Sequence, residues 1–496
     1  MRLSELAAGD YPIAPAGADP EITGLSEDSR KIRPGMAFIA VPGSALDGHA
    51  YISDAITRGA AAIVAERTGA VPPAMPAIRV SSARAALAVL AARFYGRPAE
   101  TLTTIGFTGT FGKTSTSEIL RALLDAGGAR TGVIGSLGVR HDGFFDSGTG
   151  LTTPAPVELH RAFRQLKGAG ADTVVLEVTS HALRLDRIRG LSFDGGLMAA
   201  IVAGEHTDYH RSYDDYVAAK RLFLEHLSHH ALLAYDADNH AARRLAAEAP
   251  VARVTGFSLE SRDADLQIRD VLIDSRGSAF TLSGSAAGAG SGERLHTPLL
   301  GRGHLRNVAL ALAYALPCGL PVASAASVLR GLTPLRRRME CFRLAGRVVL
   351  DDTAAHPESL KATFDVARLL PSSGMTIVYA VRGSRGTDIN RRNALVLSDL
   401  ASTHGADTLI VTASADRTSS GDEAQAPEID AARQAFVERG RRFVWHDTLD
   451  SAMREALART KVGDLLVLVG AQAMDDGKRI LKAMEGDGGP ARLQGF

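Results

Sequence analysis

The run Thr103-Thr-Ile-Gly-Phe-Thr-Gly-Thr-Phe-Gly-Lys-Thr-Ser115 joins an apolar strand, a glycine-rich turn and the start of a helix. A nucleotide's phosphate chain needs that order. The turn Gly109-Thr110-Phe111-Gly112 lets backbone N–H groups approach oxygen atoms, and the helix N-terminus adds partial positive charge. Lys113 can reach the outer phosphates and Thr114, followed by Ser115, can hold Mg2+. Phe107 stands where the first glycine of GxxxxGK[ST] would be, so strand and helix carry the assignment; the bare pattern also fits an ordinary βα turn.

Glu177 falls at the end of an apolar strand, where open α/β sheets bind ligands, and is a candidate Mg2+ ligand. A helix-capping carboxylate is the alternative. Taken alone, His206 in His206-x-x-x-His210 reads as a surface or turn residue. Lys220 reads as the solvated face of the amphipathic stretch 216–226, and Arg187 as a solvated arginine after a strand. The absence of a Ser-His-Asp or Cys-His arrangement is consistent with catalysis mainly by positioning and electrostatic stabilisation.

The elements that must position these residues follow from apolar patterning. Strands at 36–41 and 61–65, a helix at 50–58 and an alanine-rich helix at 83–94 form a small α/β unit, which Gly96-Arg-Pro98 closes. Strands such as 103–107 and 173–176 alternate with helices such as 114–126, predicting a parallel sheet. Strands at 347–350, 375–380, 407–411 and 465–469 predict a Rossmann-like unit without a GxGxxG fingerprint. The expected domains are residues 1–98, 99–335 and 336–496. Residues 286–292 read as a flexible hairpin or loop, 414–426 as an exposed loop, and the tail after 486 as frayed.

At 496 residues, with 45% hydrophobic and 22% charged residues and a mean hydropathy of +0.02, the composition is that of a globular chain. Lys plus Arg (56) nearly cancel Asp plus Glu (55), so no global field draws it to nucleic acid or an anionic membrane. Anionic ligands must be met locally. Cys318 and Cys341 are too few for a disulfide framework and too scattered for a zinc site, and the N-terminus carries no signal pattern. A cytoplasmic protein is expected, as a monomer.

The loop resembles the GTNGKT of the Mur ligase family, and several stretches extend the resemblance toward its UDP-N-acetylmuramoyl-tripeptide synthetase branch. Asp28-Ser-Arg30, Pro34-Gly35 and Asp47-Gly-His49 are similar to the branch's UDP-binding domain, Phe94-Tyr-Gly-Arg-Pro98 to its linker, and Thr152-Thr-Pro154 to its substrate-contacting turn. Glu177-Val-Thr-Ser-His-Ala-Leu183 resembles EVSSHAL. His206-x-Asp-Tyr-His210 with Tyr216-x-x-Ala-Lys220 resembles the DHLDYH and AAK pair.

The resemblance implies an N-terminal UDP-binding domain, a central ATP-binding domain with a parallel sheet, and a C-terminal Rossmann-like domain that closes over ATP and brings the amine pocket. It implies Lys113, Glu177, His206 and a carbamylated Lys220 at the catalytic centre, with Thr114, Glu177, His206 and Lys220 holding Mg2+. Ser29, Arg30, His49, Thr152, Thr153, Thr179, Ser180 and Arg187 would meet a UDP-linked muramoyl peptide. Asn307, Arg338 and Asp352 would meet ATP, and Arg417 the amino acid. The implied reaction is ATP-dependent amide ligation through an acyl phosphate, adding an amino acid to a peptidoglycan precursor. A paralogue joining another carboxylate and amine, and a catalytically idle nucleotide-binding partner, are the alternatives.

The chain also departs from the family. Phe111 and Ile201 replace asparagines, and Glu205 replaces the aspartate of the DH pair. Arg337 stands where GRME has glycine. DYAHTP reads Asp352-Thr-Ala-Ala-His-Pro357, and GCGGDRD reads Ala380-Val-Arg-Gly-Ser-Arg-Gly-Thr-Asp388. DNPR reads Ser414-Ala-Asp-Arg417, and GKGHE reads Gly470-Ala-Gln-Ala-Met474. The differences gather at the amine end.

Overall fold

Runs of aliphatic residues with no polar alternation, such as Leu465–Val469 and Thr173–Glu177, are buried on both faces, as the central strands of parallel sheets must be. In a computed structural model of the chain, residues 1–15, 17–43, 46–148, 150–204, 209–418 and 422–485 are described. They divide into two compact units. The first takes Met1–Ile201, Val217–Gly256 and Ala313–Leu320, and the second takes the remaining described residues.

The first unit holds two sheets. The N-terminal one has the order Ile13–Ala14, Ala77–Arg79, Ala62–Ala65, Met36–Ile39, Gly24–Ser26, parallel except at the first pair. The helix Ala83–Phe94 buries Ala83, Ala86, Leu87, Leu90 and Ala91, a 3.6-residue repeat, in the core of this sheet. The other sheet runs Leu227–Asp236, Phe193–Met198, Thr103–Thr108, Thr173–Glu177, Thr131–Gly135, all parallel, and an antiparallel hairpin, Gly138–His141 and Phe144–Asp146, extends its edge. The phosphate loop and Glu177 therefore leave adjacent strands at the same sheet edge.

In the second unit an antiparallel meander, Leu266–Asp274, Gly277–Ser283 and Arg294–Thr297, accompanies a six-stranded sheet. That sheet has the order Glu340–Leu344, Arg347–Asp352, Leu465–Val469, Met375–Ala380, Thr408–Thr412, Val444–His446, parallel except for its first strand. It is the expected Rossmann-like arrangement. The strand Leu465–Val469 is last in the chain yet lies between Arg347–Asp352 and Met375–Ala380, and the carboxyl ends there are where open α/β sheets form a ligand crevice.

Four local expectations change. The helix expected at 50–58 begins as a 3₁₀ turn, Gly48–Tyr51, because the Asp47 side chain accepts the His49 N–H, and becomes α-helical only over Ile52–Thr57. The stretch 216–226 is an α-helix, Tyr213–Arg221, that tightens to 3₁₀ over Leu222–His226. Residues 286–292 join the antiparallel strands Gly277–Ser283 and Arg294–Thr297, so the expected hairpin is present, but its connection carries helical turns over Ser285–Gly290 that break at Gly288. Ser414, expected in an exposed loop, is fully buried. His206 and the tail after 486 lie outside the described residues, and no described helix is long and apolar enough to cross a membrane.

His160 sits on the inner face of the helix Pro156–Gly168, 2% exposed, and neither ring nitrogen has a hydrogen-bond partner among the described residues. Burial pushes its imidazole down to about 4 from an ordinary 6.5. Between those values the unfolded chain binds a proton that the folded chain refuses. The group's stability is thus fully present above pH 6.5 and lost as pH falls toward 4. His160→Leu should flatten this acid loss by up to about 3 kcal/mol, read as the difference between urea unfolding at pH 7.5 and at pH 4.5.

Candidate active site

Gly112 caps the helix Lys113–Ala126 with φ at 80°, a left-handed conformation that glycine adopts without strain. The Thr110 N–H donates to the Ala200 carbonyl at 2.9 Å, tying the turn to the neighbouring strand's end. Lys113 folds back over the loop, its Nζ donating to the Gly109 carbonyl at 2.8 Å and the Thr110 carbonyl at 3.2 Å. Lys220 Nζ, on a side chain 1% exposed, donates to the same Gly109 carbonyl at 2.9 Å. Two ammonium groups thus meet at one point of the loop, although over a hundred residues separate them in sequence.

Glu177 lies at the opening of this loop, 1% exposed. Its carboxylate accepts from Thr114 Oγ1 at 3.2 Å, from the Ser136 N–H at 3.3 Å and from Ser136 Oγ at 3.2 Å. Ser136 Oγ also lies 2.8 Å from Thr152 Oγ1. The carboxylate fits because residue 135 is glycine: a Cβ there would stand 2.1 Å from Glu177 Oε1. Thr114, Glu177 and Ser136 make a hard-oxygen set, which suits Mg2+. Among the described residues no group of three or more His, Cys, Asp and Glu side chains forms a metal centre.

The substrate-side candidates of this sheet also converge. Thr153 Oγ1 donates to the Glu177 carbonyl at 2.8 Å, accepts the Thr179 N–H at 3.0 Å and lies 3.2 Å from Thr179 Oγ1. Thr179 caps the short helix Ser180–Arg184, where Ser180 is buried, and Arg187 donates to the Thr153 carbonyl at 2.8 Å. Arg187 is thus a fixed half-buried residue, not a free solvated one.

The N-terminal candidates bond elsewhere. Ser29 is buried beside Asp54, while exposed Arg30 makes a fork to Asp28. His49 Nδ1 lies 2.7 Å from Asp47, and its Nε2 accepts the Arg67 N–H at 3.2 Å, so both nitrogens are engaged. The His49 N–H and ring hold Asp47 down at about 2. At Ile201 the side chain of Asn239 takes over the local pairing, accepting the Ile201 N–H at 3.2 Å and donating to its carbonyl at 3.3 Å.

In the second unit Arg338 donates to Thr353 Oγ1 at 2.6 Å. Asp352 accepts from the Met339 N–H at 3.1 Å and from Thr363 Oγ1 at 2.6 Å. Asn307 lies half-buried on the helix Gly301–Ala315. Arg417 is exposed and engaged with Asp450 and, at 3.3 Å, with Asp416. Opposite the Arg338–Asp352 strand end, the loop Arg382–Gly386 wraps a buried carboxylate. Glu428 accepts the N–H groups of Ser384 (3.1 Å), Arg385 (2.8 Å), Gly386 (2.7 Å) and Gln425 (2.9 Å). Neither Ser136 nor Glu428 was singled out from sequence. Ser136 sits in a Gly-Ser-Leu-Gly hairpin turn and Glu428 at the third position of a helix, both with ordinary local explanations.

Gly135→Ala would put a methyl group on the position of Glu177 Oε1. It should lower ADP formation by about a hundredfold, the cost of roughly 1 Å of misplacement, with the melting temperature little changed. Comparing ADP release and thermal unfolding of the variant with those of the parent checks this.

Three family descriptions match the chain in order: "Mur ligase family, catalytic domain" over residues 21–95, "Mur ligase middle domain" over 107–315 and "Mur ligase, glutamate ligase domain" over 337–472. The UDP-N-acetylmuramoyl-L-alanyl-D-glutamate–2,6-diaminopimelate ligase of Bacillus licheniformis is 32% identical over 489 residues, covering 95% of this chain and 94% of that protein. The ligase of the same name from Pseudomonas aeruginosa is 34% identical over 453 residues, covering 90% and 89%. Among solved structures, MurF from Acinetobacter baumannii superposes with a TM-score of 0.67 at 17% identity, covering 96% of this chain and 97% of that one. Folylpolyglutamate synthase from Mycobacterium tuberculosis, complexed with ADP and AMPPCP, gives 0.62 at 19%, covering 80% and 95%. These two share the fold. With a phosphate loop, a buried carboxylate beside it and relatives alignable almost end to end, the chain belongs to the Mur ligase family.

Proposed function

We propose that this protein is an ATP-dependent, ADP-forming ligase that joins an amino acid to the carboxylate of a UDP-N-acetylmuramoyl peptide in the cytoplasm. The observation that carries the proposal is the Glu177 carboxylate, enclosed by Thr114 and Ser136 at the opening of the phosphate loop. Mg2+ would be held by Thr114 and Glu177, and when bound it neutralises charge on the phosphoryl oxygens.

The chain's own residues then act in two steps. Lys113 leaves the Gly109 and Thr110 carbonyls for the phosphate oxygens, while the loop N–H groups and the helix terminus hold the phosphate chain. A substrate carboxylate oxygen attacks the γ-phosphorus, and the bond to the β-phosphate oxygen breaks, giving an acyl phosphate and ADP. The amine nitrogen attacks the acyl carbon, the carbon–oxygen bond to phosphate breaks, and the nitrogen loses its proton as phosphate departs. Thr153, Thr179 and Arg187, bonded to one another beside Glu177, form a platform for the carboxylate substrate. Buried against the Gly109 carbonyl, Lys220 is placed to act on the loop either as an ammonium or, as in the family, as a carbamate.

The acceptor is an amino acid entering the crevice at the carboxyl ends of the second unit's sheet. A second reading, a paralogue with another carboxylate and amine, is favoured by one observation. Arg417, the expected clamp for the amino acid's carboxylate, is engaged by Asp450 and Asp416.

With ATP, Mg2+ and UDP-N-acetylmuramoyl-L-alanyl-D-glutamate, the purified protein should release phosphate with at least one of meso-2,6-diaminopimelate, L-lysine, L-ornithine and L-alanine. Release only with a carboxylate lacking UDP supports the paralogue, and nucleotide binding without any turnover removes the ligase reading. Lys113→Ala should lower acyl phosphate formation at least about a hundredfold with the fold intact, measured by trapping with hydroxylamine and by circular dichroism. Undiminished activity would take the loop out of the mechanism.

A further inference from the structure

Arg337 leads into the C-terminal sheet with φ at 55°, in the left-handed region, and is 2% exposed. All five guanidinium hydrogens have acceptors. Nε donates to Asp351 at 3.0 Å; Nη1 donates to the Ala471 carbonyl at 2.8 Å and to the Asp475 carboxylate. Nη2 donates to the Asp352 carbonyl at 3.2 Å and the Gly470 carbonyl at 2.6 Å. These acceptors are the carboxyl end of the strand Arg347–Asp352 and the turn that leaves the adjacent strand Leu465–Val469, joined in register at Asp352 and Val469.

Stability does not explain this choice. A left-handed conformation at a residue with a Cβ costs about 1–2 kcal/mol, which glycine would avoid. A buried Arg–Asp pair seldom stabilises more than apolar residues of the same volume. Burial pushes Asp351 up to about 6 even beside Arg337. What the guanidinium supplies is direction. It turns the carbonyls of Gly470 and Ala471 inward and anchors Asp475, fixing a turn whose backbone is irregular, with Gly470 at φ 142° and Ala471 at ψ −138°.

We propose that Arg337 is a positioning residue for the acceptor amine, holding the Gly470–Asp475 turn as one wall of the crevice at the carboxyl ends of the sheet. This rests on the reading that the crevice receives the amine. Lysine at 337 would keep the charge but lose the planar fork that reaches both strand ends.

The test is steady-state kinetics of Arg337→Lys, with the amino acid of the panel that the parent protein uses best. The KM for that amino acid should rise about tenfold, with the KM for ATP and for the UDP-linked substrate and kcat each within about threefold. An unchanged amino-acid KM, or an equal loss in every parameter, overturns the proposal. Should this variant fail to fold, Asp475→Ala, at a largely exposed carboxylate, removes one acceptor and leaves the Asp351 pair; its amino-acid KM should rise about threefold, and no rise overturns the proposal. If the parent turns over no amine, the proposed function fails and hydrogen exchange decides the positioning. The amides of residues 471–475 should then exchange about tenfold faster in Arg337→Lys than in the parent, with the sheet unchanged, and equal exchange overturns the proposal.

Discussion

A carboxylate held away from water at the end of a strand is the constraint from which the first unit is built. Three donors, from Thr114 and Ser136, meet the buried Glu177 carboxylate, and residue 135 has no side chain to compete for its space. The consequences spread outward. Thr114 must open a helix pointing at the strand's end, which requires the left-handed Gly112. Ser136 must turn sharply after the strand Thr131–Gly135, which requires the edge hairpin. The parallel pairing of the strands 103–108 and 173–177 then fixes the distance between phosphate loop and acid.

The second unit solves a related problem with opposite signs. At the carboxyl ends of its sheet the loop Arg382–Gly386 is shaped around the anionic Glu428, and the turn after Val469 around the cationic Arg337. Each charge is satisfied mainly by backbone groups, so each acts as a template for irregular chain that no sheet or helix would hold. Neither side chain comes from the segment it shapes.

Much of this was legible in the sequence. The strand, glycine turn and Lys-Thr helix start form a local pattern, and local patterns report themselves through spacing; the central strands were legible because a strand buried on both faces must be apolar throughout. What stayed hidden was long-range. That Lys220 reaches the carbonyl of Gly109, that Ser136 grips Glu177, and that Arg337 spans to Gly470 depend on packing between segments over forty residues apart or more. The amphipathic lysine looked solvated because amphipathicity alone does not say what lies against a face. The 3₁₀ turn at Gly48–Tyr51 was missed because one capping hydrogen bond from Asp47 outweighed the helical spacing.

Lys113 is folded onto its own loop before any anion reaches it. Its ammonium donates to two of the loop's carbonyls, so the positive charge is stored at the turn and not out in solvent. A side chain already ordered in this way has less rotamer freedom left to lose on meeting an anion.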